Sequence, residues 1–266
     1  MPRKIPASTG LFLLILSAAT LAEPVTSDRL ASGLLPSGDT RGEIIELDAD
    51  GGSFIAIFQS SGRDQSHGGI ILLHDQGTRA NSLELIRPLR LGLSQAGWDT
   101  LSLQLPSTPR DQVRAASKSR RTIILGRLQA GLAWLKARKS LNQVVVAQGD
   151  SGGPALKFAS EKPPRELRAL VLLSSPVEPA EADGAADALI RIRLPVLDIY
   201  AERDHYAVLD AAQARRNAAA GREDKQYRQV EVPGAVPGFF GLEDSLLSRV
   251  RGWLAVNAKG DAIDTR

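Results

Sequence analysis

The chain has 266 residues, 43% of them hydrophobic and 24% charged, a size and balance suited to one globular domain with a sizeable core. It contains no cysteine, which excludes disulfides, thiolate catalysis and cysteine-ligated metal. The formal net charge is +3, with bases and acids mixed along the chain, so no nucleic-acid footprint is indicated.

The first residues have the layout of an export signal. Arg3 and Lys4 form a basic start, Leu11 to Leu16 (LFLLIL) an apolar run too short to span a membrane, and Ala18, Ala19 and Ala22 a small-residue end. Cleavage is expected after Ala22, in preference to a retained anchor, and removing Arg3 and Lys4 takes the net charge from +3 to +1. The expected mature protein is periplasmic, or secreted as the alternative. It has no lipid attachment point and no integral membrane segment.

Residues 23–42 are aperiodic and read as a flexible lead-in, 43–258 as one domain, and 259–266 as a tail. Strands are expected at 43–48, 53–58, 69–73, 99–105, 143–148, 169–173, 195–200 and 227–232. The later ones are short and almost wholly apolar, as parallel strands covered on both faces should be. Between them lie helical stripes: Leu83, Ile86, Leu89 and Leu93; then Ile124, Leu128, Leu132 and Leu135; then Leu246, Val250, Trp253 and Leu254. Gly97 and Gly221 have the positions of helix stops. Residues 106–120 read as a polar connection over the sheet, too short for a large cap, and the basic cluster 118–121 as a solvated helix start. Two antiparallel-looking strands followed by repeated β–α units predict an α/β fold. Its central sheet should be mostly parallel, with helices on both faces and little or no cap.

The stretch GDSGGP, residues 149–154, matches the nucleophile signature of chymotrypsin-like proteases. Those enzymes are all-β, with the serine in a loop. Here the strand VVVAQ runs straight into the glycine-rich turn and then into a helical pattern, PALKFA. Strand, tight turn and helix are instead the setting of a nucleophile elbow above the C-terminal edge of a parallel sheet. With it go IILLHDQG (70–77), LRLGLSQAGWDTLSLQLP (89–106), LPVLDIYAERD (194–204) and VEVPGAVPGFFG (230–241). On these segments the chain resembles the α/β-hydrolase superfamily over about residues 45–255. It is most similar to an uncharacterised α/β-hydrolase-like family of exported bacterial proteins, a resemblance that implies a fold and not a reaction.

The resemblance places an oxyanion loop at His74, Asp75, Gln76 and Gly77, and an elbow at Gly149, Asp150, Gly152 and Gly153. The triad acid falls at Asp204, whose other reading is a helix N-cap. The elbow admits two registers. One puts Ser151 at the nucleophile, satisfying G-x-S-x-G literally, with Pro154 tolerated in the first helical turn. The other puts Gly149 at the tip and suits the flanking strand and helix better. Glycine adopts the positive φ needed there but carries no attacking group.

The base is the missing member. The only histidines are His67, His74 and His205, and Pro237 stands about where the resemblance requires the catalytic imidazole. Without a proton acceptor a serine hydroxyl stays an inert alcohol. Scattered histidines argue against a metal site, and no phosphate-cradling loop or other cofactor motif is present. The expectation is thus an exported α/β-hydrolase-fold protein with a degraded triad, non-catalytic or unconventional. It would bind a small molecule or cell-envelope partner in the crevice between His74, Gly149, Ser151 and Asp204. The alternative is a serine hydrolase (esterase, lipase-like or peptidase) using Ser151 and Asp204 with His205 or His74 as a relocated base. A purely structural envelope component is the third reading.

Overall fold

A computed structural model describes residues 41–49, 52–107, 113–161, 163–176, 182–222, 224 and 226–258. The expected signal, most of the lead-in and the tail lie outside these residues.

Eight strands form one sheet: β1 (Glu43–Ala49), β2 (Gly52–Gln59), β3 (Gly69–Leu73), β4 (Asp99–Leu103), β5 (Gln143–Gln148), β6 (Leu167–Leu173), β7 (Val196–Ala201) and β8 (Tyr227–Val232). Their spatial order is β1-β2-β4-β3-β5-β6-β7-β8. The pairs β1–β2 and β2–β4 are antiparallel, and all the other pairs are parallel. Among the described residues six α-helices connect or follow the strands: α1 (Ile86–Gln95), α2 (Val113–Ala137), α3 (Gly152–Ser160), α4 (Ala182–Arg191), α5 (Tyr206–Ala219) and α6 (Glu243–Asn257).

Successive side chains in the central strands go to opposite faces, and both faces are buried. Ile71, Leu73, Val145 and Ala147 join Leu103, Ile124, Leu128, Leu156 and Leu189 in one core. Ile70, Leu72, Val144 and Val146 join Leu89, Leu93, Leu246, Val250 and Leu254 in the other. Each core seals one side of the sheet with helices, which explains why these strands have no polar alternation.

The structure revises four local expectations. Helix α2 begins at Val113, so most of the supposed connection 106–120 is helical. The apolar stripe becomes visible only at Ile124 because the earlier inward position belongs to Arg120, which is buried rather than solvated. Leu83 lies before α1 and is exposed, so it is not part of that helix's apolar face. Strand β4 ends at Leu103, two residues short of the expected limit.

Two features brace the site from outside. Gly97 (φ +104) closes α1, with its N–H on the Ser94 carbonyl (3.0 Å) and the Trp98 N–H on that of Leu93 (3.1 Å). This paired arrangement satisfies carbonyls that a helix end leaves free. Inside β7, Asp198 is fully buried and accepts from Arg215 Nε (2.8 Å) and Nη2 (3.0 Å), Tyr227 Oη (2.5 Å) and Gln229 Nε2 (2.9 Å). That set of donors makes Asp198 a structural residue tying β7 to α5 and β8.

Candidate functional site

Strand β5 is an apolar run that ends at Gln148, still extended (φ −99, ψ 138), and the chain then reverses within three residues into α3. The residue at the reversal is Gly149, with φ +59. This left-handed backbone at the strand end is the strained tip of an elbow, where the nucleophile of an α/β-hydrolase would stand. The tip therefore carries no side chain.

Its space is taken by another group. A Cβ placed on Gly149 would lie 1.9 Å from Asp75 Oδ1 and 2.0 Å from its carboxyl carbon. Asp75 comes from the loop after β3, which Arg90 of α1 anchors by donating to the Ala80 carbonyl (3.0 Å) and to Asn81 Oδ1 (2.6 Å). Asp75 Oδ1 accepts the Asp150 N–H at 2.9 Å and the Gln76 N–H at 2.8 Å. In this fold the N–H after the tip and an N–H from the loop after β3 are the donors of the oxyanion hole. The Asp75 carboxylate thus engages both of these N–H groups and fills the space that a side chain on Gly149 would take.

Asp150 adds a second carboxylate. Its Oδ1 accepts the same Gln76 N–H (2.8 Å), and its Oδ2 pairs with Arg120 Nη1. Arg120 also donates through Nε to the Pro106 carbonyl (3.2 Å), while Arg127 donates to that of Gln104 (2.6 Å). Burial, followed by the hydrogen bond with Asp75, pushes the Asp150 carboxyl up to about 7, against the opposing pull of Arg120.

His74 lies beside this cluster, 2% exposed. Its Nε2 accepts the Leu105 N–H (2.9 Å), so Nδ1 carries the hydrogen and donates it to the Asp75 carbonyl (2.8 Å). Burial lowers its pKa to about 4. A neutral ring with both nitrogens engaged by backbone is a brace for the loop. Gln76 supplies the shared N–H, and Gly77 is exposed with φ +77.

Ser151 is 0% exposed and lies two residues beyond the tip. Its hydroxyl donates to the Gln148 carbonyl at 2.7 Å, with the Leu73 carbonyl at 3.4 Å, and no histidine is among these partners. The serine closes the turn beneath the elbow. Gly152 permits a close approach to β6, since a Cβ there would lie 1.9 Å from Ser175 Oγ, whereas Gly153 faces open space.

Asp204 is 8% exposed, at the turn after β7. Its carboxylate accepts the Ser174 hydroxyl, the Ala201 N–H (3.1 Å) and the His205 N–H (2.9 Å). It does not cap α5; His205 takes that place without a side-chain cap bond. His205 is exposed. Pro237 is half-buried in the β8–α6 loop, which is tied to the β7 turn by the Arg203 N–H on the Ala235 carbonyl (3.0 Å).

The structure therefore brings together His74, Asp75, Gln76, Gly149 and Asp150, and gives Ser151 and Asp204 separate hydrogen-bond partners. The residue that sequence reasoning missed is Arg120. Its only signal was a basic side chain falling one turn before an apolar stripe. Among the described residues no group of three or more His, Asp or Glu is arranged to hold a metal ion, and no helix is long and apolar enough to cross a membrane.

The fold has many solved counterparts. A dienelactone hydrolase from Anabaena variabilis superposes with a TM-score of 0.64 at 19% identity, covering 82% of this chain and 99% of that one. The esterase domain of a Rhodothermus marinus protein gives 0.62 at 14% identity, covering 80% and 97%. An alpha-beta serine hydrolase homologue from Coxiella burnetii gives 0.61 at 16%, covering 81% and 96%. At these identities the likeness establishes the α/β-hydrolase fold. No functionally curated protein matches the sequence. The family model described as protein of unknown function (DUF3530) matches residues 17–123 and 108–256, and the chain belongs to that family.

Proposed function

We propose that this is an exported, periplasmic protein that uses the α/β-hydrolase scaffold for binding and does not perform serine-based acyl transfer. The observation that carries this reading is the Asp75 carboxylate at the elbow. An attacking side chain is absent at Gly149, and both oxyanion-hole donors already hold an anionic oxygen. One such donor contributes about 3 kcal/mol to transition-state stabilisation in serine hydrolases, so engaging both internally removes most of that contribution. Ser151 cannot substitute while its hydroxyl is buried on a carbonyl and lacks an imidazole.

The ligand or envelope partner is expected in the crevice at the C-terminal ends of β3, β5 and β7, where this architecture places its sites. The leader-like residues 1–22 are the support for export. Two measurements test the reading. Purified protein should leave p-nitrophenyl acyl esters intact, and a fluorophosphonate probe should give no covalent adduct by mass spectrometry. Turnover abolished by Ser151→Ala, or a probe adduct on Ser151, would establish the rival serine hydrolase. Alkaline phosphatase fused after residue 22 should be active only if those residues direct export.

A further inference from the structure

One N–H serves two carboxylates at this site. Gln76 N lies 2.8 Å from both Asp75 Oδ1 and Asp150 Oδ1, which brings the two acids against each other. Among the described residues, the charged and titratable groups facing them include His74 from the loop after β3 and Arg120 and Arg127 from α2. His74 is neutral with both nitrogens engaged, and Arg127 is turned to the Gln104 carbonyl. Arg120 is paired with one of the two acids, Asp150. Two ionised carboxylates sharing one N–H in a partly buried place repel each other, and a proton on the pair relieves that repulsion.

We propose that Asp75 and Asp150 form a proton-dependent latch on the crevice. With one proton between them, the Asp75 carboxylate stays in the oxyanion hole. When that proton passes to bulk water, repulsion between the two anions drives the Asp75 side chain out and frees the Asp150 N–H. Asp150 is the less mobile partner because the ion pair with Arg120 strengthens as it ionises, and Arg120 is itself fixed on the Pro106 carbonyl. Asp75 has only the two N–H groups, and Gln76 can give its own wholly to Asp150. Like charges in hydrogen-bond contact favour sharing a proton, and the rise of the Asp150 carboxyl to about 7 places the change near neutrality.

The latch rests on the proposed binding function, since it concerns the same crevice; opening it frees an oxyanion donor, but Gly149 still supplies no attacking group, so probe silence is expected in both states. Its readout is a proton titration, so it can fail while probe silence stands. The test is carbon-13 and nitrogen-15 NMR on the full mature chain between pH 5 and 9. The carboxyl carbon of Asp150 should titrate with a midpoint near 7. Over the same range, exchange protection of the Asp150 amide should fall about tenfold beyond the intrinsic rise, while the Gln76 amide stays protected. Asp150→Asn should keep the Asp150-position amide protected at every pH, because Asp75 then has no anionic neighbour. Asp75→Asn should lower the Asp150 midpoint while leaving it above the ordinary carboxylate value, because burial, the larger cause, remains. The proposal is overturned if both carboxyls titrate below pH 5, if the Asp150 amide shows no pH-dependent protection, or if the change persists in Asp150→Asn. If one variant fails to fold, the wild-type titration and the other variant still decide.

Discussion

Two neighbouring groups hold their protons abnormally in opposite senses, and the consequence is measurable as stability. His74 stays neutral down to about 4, against an ordinary 6.5, because burial excludes its cation. Below pH 6.5 the unfolded chain takes a proton that the folded chain refuses. Stability from this group is therefore complete above 6.5 and is lost as pH falls toward 4. At about 1.4 kcal/mol for each tenfold change in proton affinity, the full loss is about 3 kcal/mol. Asp150 does the reverse. It keeps a proton up to about 7 that the unfolded chain loses near 3.8, so its contribution is complete at low pH and lost as pH rises through 7. Its side chain is 34% exposed, and solvent screening discounts its nominal value to about 2 kcal/mol. Between pH 4 and 6.5 the folded chain carries one proton on Asp150 and the unfolded chain one on His74, so the two slopes nearly cancel. Urea unfolding followed by circular dichroism, at half-unit steps from pH 4 to 8, separates them. Relative to wild type, Asp150→Asn should become steadily more stable from pH 4 to 6.5. His74→Gln, which can keep both backbone hydrogen bonds, should become less stable from pH 4 to 7. Difference curves that are flat, or slopes of the opposite sign, would refute the assigned protonation states.

Three other outcomes are expected. Gly149→Ser should restore no esterase activity and should lower stability by at least about 2 kcal/mol in urea unfolding, since it combines a left-handed backbone with a Cβ 1.9 Å from Asp75 Oδ1. Arg215→Met should cost about 3–5 kcal/mol by the same assay, because it leaves the fully buried Asp198 carboxylate without its cation. Gly97→Ala should lower the thermal midpoint, with a loss of about 1–2 kcal/mol, because φ is +104 and the new methyl would meet the His67 ring at 2.8 Å.

The fold was legible because its signals are repetitive. Apolar runs such as GIILL and QVVVA need cover on both faces, and a chain of such runs separated by amphipathic helices has few topologies open to it. The tight reversal after β5 was legible in outline from strand, glycine-rich turn and helix. What stood in the elbow was not legible. Asp75 and Gly149 are 74 residues apart, and nothing local in HDQG says that its carboxylate turns inward across β3 to meet β5. Arg120 was hidden for a related reason: hydrophobic periodicity counts a buried arginine as a surface residue, although here its guanidinium pairs with an acid thirty positions away in the chain. Ser151 misled in the other direction. A literal G-x-S-x-G match carries no information about register, and two residues along a tight turn separate a crevice-facing group from one packed on a carbonyl.

The contact between the elbow tip and the loop after β3 also governs which mutational routes are open to this family. Replacing the tip glycine by serine in one change puts the new side chain inside an existing carboxylate, so the path back to a hydrolase has to clear the loop first. That preliminary change exposes the bare amides and brings no catalytic gain by itself. A step that must come before any benefit acts as a ratchet, holding descendants of this sequence at a tip without a side chain even while the surrounding architecture is retained.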